Sequence, residues 1–522
     1  MKTWIKFIIP LIALLYANPS FPQTIGDGSN VVSSVATRDD KEVMLVDGKP
    51  FFYNAIQTSF PRLPGWNWSQ LGAIFNIAKD DGFTVIGIIA RWSDIEPEMG
   101  HFVWNDLDSA LTCCAKSGMK MEILWFGSDV CTKLEGAPGY VKKNYQAVLK
   151  ADGSELINNA DGLRKLDKTD TTLLAREMFV ITTMMNHIRS FLDSKSYPNV
   201  VVGIQVLNEA SVLMFEIDHS VYTDRSYSSF ANKKWQNGGF KDANTFNADI
   251  MWEYLNGCAR AVKTSNYSVW TRHNWCPVEE NLMWLIINKN ERQKLRGASY
   301  LDFIGFDTYK WSTDSIYHYG KLYHLGHNLP MIMENSGDDS TAAQNIFNAY
   351  AGNALYHIWE IHDPGGLYGV NREEKRLMPK THTESVRQLN LMLKKNWYSL
   401  ATKAADSDSL KFLNRYYDSK VVMNFDSVVN IVSHPVRYQT TNGGVAIISA
   451  RNNSLYFQST TTATISVPSS LPVLSLENGY YDPENNWVSL GPIDSKINGD
   501  SRTFLIPAYG CVRLKTKPEH KP

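Results

Sequence analysis

Residues 200 to 207, VVVGIQVL, are apolar for nearly their whole length, and the run stops on Asn208-Glu209. A second apolar run, LPMIM at 329 to 333, stops in the same way on Glu334. An Asn-Glu dipeptide alone means little. Its place at the end of a buried strand is what gives it weight, because there a side chain leaves the core and enters whatever mouth the strands form. Two carboxyl groups brought by separate strand tips to one pocket can divide the cleavage of an acetal between them: one protonates the leaving oxygen and the other attacks the anomeric carbon. With retention of the anomer, the two groups must stand about 5 to 5.5 Å apart.

What could position such a pair is a parallel sheet. Apolar, β-branched runs alternate with helical patterns along the chain: FFYNAIQ (51 to 57), FTVIGIIA (83 to 90), MKMEILWF (119 to 126), VVVGIQVL, SVWTRH (268 to 273), LDFIGFD (301 to 307), LPMIME (329 to 334) and ALYHIWE (354 to 360). Between them lie helical stretches such as LGAIFNIAKDDG and NDLDSALTCCAKSG, several closed by Gly as helix C-termini often are. Eight near-continuous apolar strands separated by helices predict a (β/α)8 barrel, covered on both faces. An open doubly wound sheet lacks support, since no GxGxxG follows an early strand and no GxxxxGK[ST] occurs. In a barrel of eight, strands four and seven are three steps apart, so Glu209 and Glu334 would face each other across the mouth. A long segment from Gly127 to about Asp170 follows the third strand, on the face where it can shape a cleft. From about Asp406 short alternating strands with Gly, Pro, Asn and Ser breaks predict a small antiparallel β-sandwich. The expected organisation is a leader over 1–23, a barrel over 38–403 and a sandwich over 406–518, which binds carbohydrate or braces the barrel.

Composition narrows the partners. Hydrophobic residues make up 43% and charged ones 20% of the 522, as in ordinary globular chains. Lys+Arg 52 against Asp+Glu 53 leaves no basic excess with which to neutralise a phosphate backbone, so nucleic acid is not an expected partner. Aromatics reach 12%, with 15 Trp and 25 Tyr, which suits a surface that needs flat apolar faces with polar edges. The N-terminus, a short basic segment followed by FIIPLIALLYA and a polar stretch, reads as a signal peptide too short to span a bilayer, and predicts a secreted or periplasmic chain with no span in its mature form. Six scattered Cys without CxxC spacing give neither a disulfide framework nor a zinc site. His318, His324 and His327 in YHYGKLYHLGH read as loop histidines. Neither a metal nor a cofactor is expected; the oligomeric state is not legible.

Asn-Glu after strand four with Glu after strand seven resembles glycoside hydrolase clan A, the retaining (β/α)-barrel glycosidases. More narrowly, RWSDIEPEMGHFVWNDLDSALTCCAKSGMKMEILWFG (91 to 127) is similar to the second and third barrel units of families 35 and 42, the β-galactosidase-like members. There a Trp, an acidic-Pro pair, a Gly and an aromatic-x-x-x-Leu-Asp run recur in that order. The resemblance covers roughly residues 40 to 380. It departs at strand four, where family 35 commonly reads Gln-x-Glu-Asn-Glu, with the first Glu touching the sugar, and this chain has Gln205-Val206-Leu207-Asn208-Glu209. The resemblance implies Glu209 as general acid/base, Glu334 as nucleophile and Asn208 as a hydrogen-bond partner of the sugar 2-hydroxyl. Arg91, after strand two, is the expected cation beside the nucleophile, unless it pairs with Asp94 or Glu96 in its own loop. Tyr309, after strand six, is the expected hydroxyl donor. Trp359 and Trp125 are candidates to stack on a pyranose face, with Trp92, Trp275 and Trp311 also near strand ends. His273 and Asn274, and also His362 and Asp363, are candidates for polar contacts. The expected function is a secreted retaining β-glycosidase acting on a β-galactoside or related plant-type oligosaccharide. The alternatives are an endo-acting β-glucanase or β-mannanase of the same clan and a non-catalytic carbohydrate-binding barrel.

Overall fold

The computed structural model describes residues 30–517 apart from 39–40, 60–62, 64, 131–133, 158–161, 211–226, 241–242, 276–298, 309–311, 336, 338–339, 363–364, 406, 408, 415–420, 423–434 and 441–443. The expected leader over 1–23 lies outside the described residues.

Eight parallel strands close into a barrel: β1 (Ala55–Ser59), β2 (Val85–Arg91), β3 (Lys120–Val130), β4 (Val201–Asn208), β5 (Trp270–Trp275), β6 (Phe303–Asp307), β7 (Met331–Asn335) and β8 (Leu355–Ile358). Each is hydrogen-bonded to the next, and β8 pairs with β1 through His357 and Ala55. This is the (β/α)8 architecture expected from the alternating pattern. Helices α1 (Trp68–Asp80), α2 (Asn105–Ser117), α3 (Thr171–Lys195), α4 (Ala243–Lys263), α5 (Thr313–Tyr323), α6 (Ala342–Ala351) and α7 (Thr383–Lys394) connect or follow these strands. Local chemistry fixes their ends. Asn67 and Gln70 form a reciprocal capping box at the start of α1. Asp170 accepts from the backbone N–H groups of Thr172 and Leu173 to start α3. Gly118, at φ +73°, stops α2 in the left-handed conformation that glycine adopts at least cost.

Both faces of the sheet are buried, which explains the lack of strict alternation in the strands. The outward side chains Ile86, Ile88, Ile123, Ile204, Ile304 and Ile332 join Leu71, Ile74, Leu107, Leu111, Ile181 and Ile346 of the helices in one core. Burying each such side chain contributes about 1.5–3 kcal/mol. The N-terminal end of the barrel is closed by a hairpin, Ser33–Arg38 with Lys41–Val46. Met44 and Val46 of this hairpin pack on Tyr53, Trp270, Phe303 and Met331, and Ser33 Oγ accepts from the Trp270 N–H at 3.0 Å. None of the strands expected from sequence covers this hairpin.

Beyond α7 two antiparallel sheets stack, as expected for the sandwich. Among the described residues one has six strands and the other five, with Ile448, Phe457, Ile465, Phe504 and Val512 between them. Polar contacts tie them to the barrel side: Asn396 Nδ2 donates to Ser449 Oγ at 2.8 Å and Lys395 Nζ to the Tyr509 carbonyl at 2.7 Å. Among the described residues no helix is long and apolar enough to cross a membrane.

Candidate active site

The C-terminal tip of β4 is built on an irregular backbone. Leu207 has φ +61° and Glu209 φ +44°, so two non-glycine residues in the left-handed region bracket Asn208. Such a residue costs of order 1–3 kcal/mol and persists where its surroundings over-determine it. Here they do. The Glu209 N–H donates to Asn274 Oδ1 at 3.2 Å, while Asn208 Oδ1 accepts from Gln205 Nε2 at 2.8 Å and from Asn274 Nδ2 at 3.1 Å. Asn274 Nδ2 also donates to Asp307 Oδ2 at 2.9 Å. Leu207, where the resembling family has a sugar-touching Glu, is fully buried. Asn208 and Glu209 are buried as well, 6% and 5% exposed.

Below this tip lies a charged group inside the barrel. Glu122 of β3 and Arg272 of β5 form a fork-to-fork pair, Nε to Oε1 at 2.8 Å and Nη2 to Oε2 at 2.6 Å, with both side chains shut off from solvent. Tyr53 donates to Glu122 Oε2 at 2.8 Å and Trp270 Nε1 to Glu122 Oε1 at 3.3 Å. Arg272 also donates through Nη1 to Gln205 Oε1. Burial alone would raise the Glu122 carboxyl; the adjacent guanidinium and the bonds it donates outweigh that and hold it below the usual carboxylate range. Arg272, which burial would discharge, is held charged by the same carboxylate.

Strand parity places His273 and Trp125. Asn274 and Arg272 point inward, so His273 between them faces the other way. Its Nδ1 pairs with the Val206 carbonyl at 2.9 Å, and burial pushes it down to about 4. His273 thus packs against the wall instead of contacting substrate from the mouth. Trp125 is corrected in the same way. Leu124 and Phe126 point into the barrel with Ile89 and Val130, whereas Trp125 is sealed against α3, its Nε1 donating to Glu177 Oε1 at 2.8 Å. Trp92 is also fully buried, bonded to Glu96 Oε2 at 3.0 Å. Trp359 follows β8 on the inward parity of His357 and is half-buried, which leaves a ring face to offer. Arg91 ends β2 with its guanidinium over the Phe126 ring, 5.8 Å from the centroid, and 3.9 Å from Asp94 Oδ2. Glu96 instead holds Arg176 and Tyr140, the latter at 2.6 Å. His362 Nε2 meets Thr58 Oγ1 at 3.0 Å. Glu334 lies on β7, three strands round the ring from β4; its side chain, together with Tyr309, Trp311 and Asp363, lies outside the described residues.

The segment after β3 packs at this end of the barrel. β3 runs on to Val130, beyond the apolar run, and pairs there with Asn208 after a bulge. Lys165 Nζ binds Asp129 Oδ2 at 2.6 Å and Lys168 Nζ binds Ser128 Oγ at 2.7 Å, clamping the returning chain onto the extended strand. The Tyr227 N–H donates to the Leu149 carbonyl at 3.0 Å, so the chain leading into the next helix is tied to the same segment. Among the described residues no group of three or more His, Cys, Asp or Glu side chains could hold a metal ion.

The sequence had a signal for the interior group. Glu122 is the one acid within MKMEILWF and Arg272 the one formal charge within SVWTRH, and a charge buried in a barrel strand must find a partner.

No protein-family model matches the chain, and no curated protein matches it. Solved structures that overlap it include the catalytic domain of a β-amylase from Paenibacillus polymyxa, with TM-score 0.47, 11% identity, and coverage of 65% of this chain and 97% of that one. A β-galactosidase from the psychrophilic Marinomonas ef1 overlaps with TM-score 0.47 and 12% identity over 67% of this chain and 62% of its own. A glycoside hydrolase family 30 subfamily 8 xylanase from Clostridium acetobutylicum gives TM-score 0.43 and 11% identity over 89% and 95%. At these values the likeness carries nothing about activity.

Proposed function

We propose that this chain is a retaining β-glycosidase of the clan A kind, exported by its N-terminal leader, which hydrolyses a β-galactoside or related plant-type oligosaccharide. The observation that carries the reading is the Asn208-Glu209 tip of β4, strained and cross-braced at the C-terminal end of a closed eight-strand barrel, with Glu334 on the strand three places round. In this reading Glu209 protonates the leaving oxygen and Glu334 attacks the anomeric carbon to form a glycosyl ester. Glu209 then acts as base on the water that hydrolyses the ester, returning both groups to their starting protonation. Asn208 bonds the sugar 2-hydroxyl, Arg91 and Tyr309 stand beside the nucleophile, and Trp359 floors the ring.

A panel of 4-nitrophenyl β-glycosides together with β-glucan and β-mannan tests the reading. Release from the galactoside, abolished in Glu334→Gly and recovered there with added azide, supports it. Cleavage confined to polysaccharide moves the function to an endo-acting glucanase or mannanase, and carbohydrate binding without cleavage of any substrate leaves a non-catalytic barrel.

A further inference from the structure

The hydrogen bonds beneath Asn208 form a chain whose two ends have fixed polarity. Arginine can donate but never accept. Arg272, clamped by Glu122, therefore demands an oxygen from Gln205 and receives Oε1. The amino end of Gln205 is thereby turned the other way, where it donates to Asn208 Oδ1 at 2.8 Å. On the far side, Asp307 as a carboxylate can accept but not donate, so the Asn274 amide shows it Nδ2, at 2.9 Å. That same amino group reaches Asn208 Oδ1 at 3.1 Å, and Asn274 Oδ1 is left to receive the Glu209 N–H at 3.2 Å. A fixed donor at one end and a fixed acceptor at the other leave one consistent orientation for three amides that could each otherwise be reversed. Gln205, Arg272 and Asn274 are fully buried and Asp307 is 1% exposed, so solvent does not compete for these bonds.

We propose that Arg272 and Asp307 act as positioning residues which, through Gln205 and Asn274, lock Asn208 with its carbonyl toward the barrel and its amino group away from it, so that the site meets the sugar 2-hydroxyl with a donor. The inference rests on the glycosidase reading above, and it adds a reason for the charged barrel interior: the Glu122–Arg272 pair gives Gln205 its direction. A hydrogen bond to the 2-hydroxyl that strengthens in the transition state is worth more in kcat than in KM, so the chain acts on rate and on discrimination at that one carbon.

The test uses Gln205→Glu, which keeps the bond to Arg272 but faces Asn208 with a carboxylate oxygen in place of an amino group. Gln205→Met, which removes the amino donor to Asn208 without touching Asn274, is the second variant if the first does not fold. Each is compared with wild type on the 4-nitrophenyl β-glycoside that the wild-type protein cleaves fastest and on its 2-deoxy counterpart. For the 2-hydroxy substrate kcat should fall roughly 10–100-fold with little change in KM, the effect of losing one charge-assisted or transition-state hydrogen bond. The 2-deoxy substrate should be cleaved at nearly the wild-type rate. An equal loss on both substrates, or no loss on either, overturns the positioning role while leaving the glycosidase intact. A wild-type protein that cleaves none of the glycosides overturns the glycosidase reading itself.

Discussion

The place of Asn208-Glu209 at the tip of a barrel strand was legible because the apolar run before them stops there. The backbone that holds them was not. Nothing in Leu207-Asn208-Glu209 signals two left-handed residues, since no glycine stands there, and the conformation exists because Asn274 arrives from a neighbouring strand. Trp125 and His273 misled for a related reason. Both stand near the ends of predicted strands, but side chains alternate across a strand, and a one-residue difference in parity places Trp125 against α3 and Phe126 inside the barrel. This separates the two tryptophans experimentally. Trp359→Ala should raise KM for the best substrate about tenfold, the equivalent of about 1.4 kcal/mol. Trp125→Phe should leave KM unchanged and lower the melting temperature, because Glu177 loses a buried donor, at a cost of about 1–3 kcal/mol. Glu209→Gln should cut kcat/KM on substrates with poor leaving groups by about 10²–10⁴-fold, and steady-state kinetics against leaving-group pKa would check it, an activated aryl glycoside losing least in the first step.

At the scale of strands and helices, pattern predicted well. All eight barrel strands form within a few residues of the expected runs, because period and length both reflect burial on two faces. The far end of β3 was missed, since residues 127 to 130 are Gly-Ser-Asp-Val and their pairing is earned by the bulge and by the lysines that clamp it. The closing hairpin was missed because its strands, SSVATR and KEVMLV, mix polar and charged residues with apolar ones and precede the first helix pattern. The interior pair of Glu122 and Arg272 links β3 to β5, and removal of one partner leaves the other buried and uncompensated. Glu122→Leu or Arg272→Met alone should cost about 3–5 kcal/mol in urea unfolding, and the two together less than the sum of the single changes. Additive losses would show that the two charges do not depend on each other. Gly203→Ala should cost about 1–3 kcal/mol, because a β-carbon there collides with the Trp270 indole.

For the whole molecule, acid is the sensitive direction. Burial pushes His273 down to about 4, and burial with the nearby Arg272 pushes His357 down to about 3. Both are neutral in the folded chain while an unfolded histidine titrates near 6.5. Because the folded values are depressed, the unfolded chain binds more protons below pH about 6.5, and stability present above that pH is lost as pH falls towards 4 and 3. Each contributes a slope of up to about 1.4 kcal/mol per pH unit. Urea unfolding at pH 7, 5.5 and 4.5 should show the midpoint falling, and His357→Gln should make the fall shallower; equal slopes would mean that His357 does not titrate on unfolding. The two-part architecture was legible from the change of texture after the last barrel helix, since short alternating strands and long helical periods bury their apolar residues in different ways. The most direct test of the central claim, that a Glu on β7 works opposite the Asn-Glu tip of β4, is covalent trapping. The protein is incubated with the 2,4-dinitrophenyl 2-deoxy-2-fluoro-β-glycoside of its preferred sugar and its peptides are mapped by mass spectrometry. A single glycosyl adduct on Glu334 is the expected result; an adduct on another residue, or turnover of the parent glycoside with no trapped ester, would contradict it.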